Sequence, residues 1–405
     1  MSYATRQELL GKIETKRQSK VIVYFTSDRR GLQSAITADA IPVLHKHLRS
    51  VCPASADPPK LDLFLYSRGG DANVPWTMVS MFREYSRSGT FGILVPFRAH
   101  SAATVVCLGA DEVVMTRKAE LGPIDATIEG GPYNPREEKT GRVLPVSVED
   151  VTGYFHLLEM LGCDGRANRM QALKSLSERT HPLVIGSVKR LLDQTRQVAI
   201  KLLRTRHRPF TAFRNNHIVQ QLSSEISSHS HAIHFTEAAR DLKLRHVMRA
   251  EDEGIEEDLW SLYEDYAQFF RLESPFDPET SLLSTGGQER TWRELPLACV
   301  ESGSRFDLLV KDVRCRPIKS VPPQVTLNVS NIVVPPPAAV SGLTAEQMNA
   351  NLRTHLQQIL PPVLNEAVAA AIRDLLRALP HGGFERIDYN QKWVDGSAKE
   401  SWHED

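Results

Sequence analysis

Two short stretches hold residues whose types and spacing could do chemistry. The apolar run Leu61 to Tyr66 ends abruptly in Ser67-Arg68-Gly69-Gly70-Asp71. An ordinary turn uses glycine for its positive φ. Alternatively, backbone without side chains lets peptide N–H groups face a cleft and hold a developing oxyanion. Further along, Ala99-His100-Ser101-Ala102-Ala103-Thr104 opens a predicted helix after Val95-Pro96. A serine there can serve as an N-cap or a close helix contact. It can also act as a nucleophile, since the unsatisfied N–H groups and positive end of a helix favour an anionic intermediate. Both stretches follow a predicted strand on its carboxyl side, where open α/β sheets place their ligands.

The elements that must position them read as follows. Lys20 to Thr26, Leu61 to Tyr66, Phe91 to Pro96 and Val113 to Met115 are compact β-branched and apolar runs, hence buried strands. Helices are predicted over 4–18, 37–50, 74–86 and 99–108, then over 149–161, 183–205 and 235–244, with a short strand at His246 to Met248. Strands alternating with helices imply parallel crossover units and an α/β fold. Beyond residue 251 an aromatic stripe (Trp260, Tyr263, Tyr266, Phe269, Phe270) marks a helix at 256–272 for a core or an interface. Residues 273–295 read as irregular. Strands are predicted at 297–301, 305–311 and 325–334, a stiff linker at Pro335-Pro336-Pro337, an amphipathic helical segment at 344–379 and a loose tail from His381.

Composition narrows the function classes. The 405 residues are 41% hydrophobic and 24% charged, as in a globular protein with a core. Lys+Arg and Asp+Glu both count 49, so no bulk field draws the chain to nucleic acid or anionic lipid. No apolar run approaches the roughly 20 residues that span a bilayer. The polar N-terminus has no secretory apolar region, so a cytoplasmic location is expected. The five cysteines stand singly, without the spacing of a zinc site. No cofactor is implied.

The two chemistry-bearing stretches resemble motifs of a known family. Leu61 to Gly70 looks like the strand and glycine-pair turn of the Clp protease/crotonase superfamily. Val95-Pro96-Phe97-Arg98-Ala99-His100-Ser101-Ala102-Ala103-Thr104 resembles the nucleophile segment of the serine dehydrogenase proteinase family, a group related to signal peptide peptidase A. Two further blocks, Gly109 to Met115 and Leu121 to Ile128, follow in the family's order. A looser match runs through Ser228 to Ile233, Glu237-Ala238 and Leu242 to Val247. The resemblance covers about residues 20–250 and nothing past 255.

The resemblance implies a Clp protease/crotonase-like fold of stacked ββα units. It makes Ser101 the nucleophile, with Gly69 or Gly70 and Ala102 supplying oxyanion-hole amides. The implied reaction is peptide-bond hydrolysis through an acyl-enzyme on Ser101.

A serine hydroxyl needs a positioned base, and the candidates are His229, His231, Lys189, Lys201 and His100. His229 falls on the histidine of the family's "T-H-D" element, although Ser230 stands in place of the aspartate. Asp125 could orient a histidine or cap a turn. Lys189 and Lys201 flank the apolar stripe of a helix, where lysines are usually solvated, and His100 is expected to shape the pocket wall. Two departures are Arg68, where relatives carry proline, and Ala103, where they carry glycine. Arg68 either binds a substrate carboxylate or backbone carbonyl, or pairs with Asp71.

Three functions compete: a serine peptidase, a non-catalytic scaffold with the same fold, and acyl-coenzyme A thioester chemistry. The domain expectation is a peptidase domain over 1–250, a helix plus small β unit over 251–340, and a helical segment with loose tail over 341–405. A peptide or protein substrate, no nucleic acid and no membrane span are expected. Relatives assemble into rings or trimers, so a homo-oligomer is expected, with 256–272 and 344–379 as contact faces and 251–405 as a possible partner-binding region.

Overall fold

Every residue of the run Val21 to Thr26 is shielded from solvent, as a strand covered on both sheet faces must be. The computed structural model describes residues 3–53, 59–86, 90–124, 127–128, 131–137, 141, 143–163, 165–225, 231–285, 287, 289–319 and 381–397, with scattered residues between 350 and 371. The chain divides into two compact units. One is Met1–Phe276 with Glu294–Lys311 and Asn390–Asp405; the other is Asp277–Arg293 with Asp312–Tyr389.

In chain order the first unit holds α1 (Tyr3–Arg17), β1 (Lys20–Thr26), α2 (Ala40–Val51), β2 (Leu61–Tyr66), α3 (Val74–Ser86) and β3 (Phe91–Val95). It continues through β4 (Arg98–Ala99), α4 (Ala102–Leu108), β5 (Glu112–Met115), β6 (Glu120–Leu121), β7 (Thr127–Ile128) and β8 (Val146–Ser147). Then come α5 (Val148–Met160), α6 (Arg166–Arg179), α7 (Pro182–Arg204), α8 (Ala212–Gln220), β9 (Ile233–His234), α9 (Phe235–Arg240), β10 (Val247–Arg249) and α10 (Glu256–Phe269). The second unit holds α11 (Pro278–Thr285), and three long strands belong in part to each unit: β11 (Arg290–Ser302), β12 (Arg305–Lys319) and β13 (His381–Asp395).

The central sheet runs β10-β5-β3-β2-β1-β11-β12-β13. β1, β2, β3, β5 and β10 are parallel, and β11 returns antiparallel to β1. The predicted crossovers are therefore present, and the fold is mixed α/β with one large sheet. β2 is buried throughout, Asp62 included. Its carboxylate is held by Arg17 Nε at 3.0 Å and by the Ser19 hydroxyl at 2.7 Å, which offsets the cost of burying a charge.

The aromatic stripe of α10 is core. Phe25 stacks on Tyr66 at 4.3 Å and on Phe270 at 5.2 Å, and Tyr266 lies 5.3 Å from the same ring. The first unit thus runs on through Phe276, past the boundary drawn at 250; Tyr263, Tyr266 and Phe270 of the stripe are buried, and Trp260 and Phe269 are partly buried against them. The tail from His381, read as loose, instead forms the 15-residue strand β13. Residues 278–285, read as irregular, are helix α11. The strand expected at 325–334 and most of the 344–379 segment lie outside the described residues. Helices α6 and α8 were not foreseen.

Candidate active site

Both chemistry-bearing stretches leave their strands at the same end of the sheet and then zip together. Ser67 N donates to Arg98 O at 3.0 Å, and His100 N donates to Ser67 O at 3.0 Å. This short ladder brings Gly69 onto Ser101: a Cβ at Gly69 would stand 2.7 Å from Ser101 Cβ and 3.2 Å from Ala102 N. Gly69 has φ 113°, and Gly70, with φ 152°, lies against Ile36, whose carbonyl oxygen would be 2.2 Å from an added Cβ. Only glycine fits such positions.

The Ser67 hydroxyl organises the bend. It lies 2.9 Å from Thr26 Oγ1 and accepts from Gly69 N at 3.1 Å. The Gly69 carbonyl in turn accepts from Ile36 N at 2.7 Å. The Gly69 amide is therefore already used. Among the described residues the amides of Gly70 and Ala102 have no hydrogen-bond partner.

Ser101 is the N-cap of α4, at φ 50° and ψ −117°, and its side chain makes no capping bond. Positive φ at a non-glycine residue costs on the order of 1–3 kcal/mol and persists where its surroundings enforce it. The enforcing contacts are the ladder to Ser67 on one side and Thr104 on the other. Thr104 Oγ1 lies 2.7 Å from Ala99 O and accepts from Gly122 N at 3.0 Å. Ala102 and Ala103 are buried, so α4 packs closely at the residues where a larger side chain would push Ser101 away.

A chain of charges borders the serine. Arg68 Nε and Arg98 Nη1 both donate to Asp28 Oδ2 at 2.9 Å, and Arg98 Nε donates to Glu120 Oε1 at 3.0 Å. His100 Nε2 stands 3.1 Å from Glu120 Oε1 without forming a hydrogen bond. Burial lowers the His100 pKa, Arg68 and Arg98 add to the effect, and Glu120 opposes it. Arg68 therefore pairs with Asp28 and not with Asp71, whose carboxylate accepts from Asn73 instead. Neither Asp28 nor Glu120 was singled out in the sequence, since nothing in their spacing ties them to the two motifs.

The base candidates fall into two groups. Lys189 pairs with Asp193 and is 70% exposed, Lys201 lies over the Trp76 ring at 5.7 Å, and His231 bonds Glu237 at 2.8 Å. None of these is brought to Ser101 by a hydrogen bond. His229 and Asp125 lie outside the described residues. Of the described residues around them, Ile124 N donates to Leu222 O at 2.9 Å, and Ile233 pairs with Leu121. β6, which carries Leu121, pairs in turn with β4 beside Ser101.

Comparison with known proteins gives faint likenesses. No family model matches the chain. An uncharacterized protein of Methanocaldococcus jannaschii is 27% identical over 131 residues, which are 30% of this chain and 42% of that protein. The chain thus matches less than half of that relative's length. Among solved structures, a lysine-to-alanine mutant of the 1510-N membrane-bound stomatin-specific protease, in complex with a substrate peptide, is 12% identical. That likeness covers 55% of this chain and 74% of that one, with a TM-score of 0.32. An enoyl-CoA hydratase from Mycobacterium smegmatis is 13% identical over 67% of this chain and 90% of that one, with a TM-score of 0.17. Overlaps of this size carry no argument about chemistry. Among the described residues no helix is long and apolar enough to cross a membrane. The fold is mixed α/β with a large central sheet.

Proposed function

We propose that the chain is a serine peptidase that hydrolyses peptide bonds through an acyl-enzyme on Ser101. One observation carries this reading: Gly69 packs directly on Ser101, so the glycine bend lies against the serine's Cβ and beside the Ala102 amide. In this reading Ser101 Oγ attacks the scissile carbonyl, and the amides of Gly70 and Ala102 hold the oxyanion. Gly69 supplies close approach instead of a donor, because its amide already serves Ser67.

The base is proposed to be His229, with Asp125 as its orienting carboxylate. Support comes from the family-like position of His229 and from the anchoring of the flanking residues to β6 and Ile124. Arg98 and Arg68, held on Asp28, border the opening and suit a substrate carboxylate or carbonyl. Assembly into a homo-oligomer and a peptide or protein substrate belong to the same proposal.

A fluorophosphonate reagent tests it. The wild-type chain is expected to gain one adduct by intact mass, and Ser101→Ala is expected to gain none. A well-folded wild type that stays unlabelled contradicts the peptidase reading. One observation favours a non-catalytic scaffold: Ser230 stands where the family's motif carries an aspartate beside the histidine. Under that reading Ser101→Ala matches wild type in every cellular assay.

A further inference from the structure

The hairpin of α5 and α6 leaves a group of large apolar side chains uncovered. Val148 is the one buried residue of α5 and Ala172 the one buried residue of α6. Leu157, Met160 and Leu161 are 51%, 84% and 67% exposed, and Met170 on the facing helix is 59% exposed. Phe155, Met170 and Leu173 line a groove with Arg166 and Arg169. The base of the hairpin is anchored, since Val148 and Val151 pack with Val184 and Val188 of α7. Single exposed apolar residues are ordinary, but Leu157, Met160 and Leu161 stand at i, i+3 and i+4 and form one exposed stripe, which marks an interaction surface.

Charge selects the occupant. α5 carries Glu149, Asp150 and Glu159 with no lysine or arginine, a net of −3. α6 carries Arg166, Arg169, Lys174 and Arg179 against Glu178, and 4 − 1 gives +3. Glu159 and Arg169 already meet at 2.8 Å within one hairpin. An anionic membrane or a partner of one sign would match one helix and be repelled by the other. A second copy related by a twofold axis matches both, because each α5 then lies on the other copy's α6.

We propose that the α5–α6 hairpin is a twofold self-association face, closing as a four-helix contact between two copies of this chain. The apolar side chains fill the seam, and the acidic and basic helices fix its register.

Sedimentation equilibrium of the full chain at micromolar concentration tests this with complementary charge swaps. Wild type is expected at twice the 45.4 kDa chain mass, or a multiple of that pair. Glu149→Lys/Asp150→Lys and Lys174→Glu/Arg179→Glu are each expected to weaken the pair about tenfold or more, equivalent to about 1.4 kcal/mol. Mixing the two variants is expected to restore the pair, which a folding defect would not do. A monomeric wild type overturns the proposal. So does an assembly that neither swap disturbs, a mixture that fails to recover, or a monomer that binds anionic vesicles through this hairpin.

Discussion

At Gly69 a backbone φ of 113° and the contact with Ser101 are one constraint, since the conformation that exposes the bend also removes the space for a side chain. Gly69→Ala would set a methyl carbon 2.7 Å from Ser101 Cβ, so either the bend or the serine must move. A misplacement of about 1 Å costs on the order of a hundredfold in rate. The expected result is kcat lower by about that factor against a reporter peptide, together with about 1–3 kcal/mol of lost stability from strain. Unchanged kcat would show that the two residues act independently. The twin glycines were legible because their backbone demands that residue type, and Ser101 because its segment opens a helix and resembles a nucleophile motif. Asp28, Glu120 and Ile36 were not, because each reaches the site from a different crossover. Arg68 illustrates the difference: its near neighbour Asp71 is taken up by Asn73, and its partner comes from the loop after β1.

At the scale of elements, the strands that carry the site were readable from their unbroken apolar runs. Where such a run contains a charge, a helix supplies the counter-charge. Arg17, the last residue of α1, reaches Asp62 of β2 at 3.0 Å, Glu112 of β5 at 2.5 Å and Glu253 at 2.6 Å. Arg17→Ala leaves Asp62 buried without its cation, for which losses of about 3–5 kcal/mol are typical. Chemical denaturation is expected to show a loss of that size, and a loss below about 0.5 kcal/mol, the usual range of surface substitutions, would contradict the structural role. Sequence periodicity revealed neither Arg17 as the tie nor β13 as a strand. A terminal segment with glycines and mixed charges has no apolar run, and its place beside β12 is decided by the sheet.

Across the whole molecule, helices lying far apart in sequence close the same core, and the aromatic face of α10 packs over β1 and β2. A buried histidine makes the fold's stability depend on pH. His246 is fully buried and close to Arg206, and burial followed by that cation lowers its pKa from the ordinary 6.5 to about 3. Below pH 6.5 the unfolded chain takes up a proton that the folded chain refuses. Stability is therefore expected to fall as pH drops from about 6.5 to about 3, with a slope that His246→Gln reduces by one proton. An identical slope in that variant would assign the loss to other groups. The most direct test of the central claim is a crystal structure of the chain after reaction with a fluorophosphonate. The account predicts phosphorus bonded to Ser101 Oγ and a phosphoryl oxygen about 2.7–3.1 Å from both Gly70 N and Ala102 N. A phosphoryl oxygen turned to solvent, with both amides vacant, would contradict it.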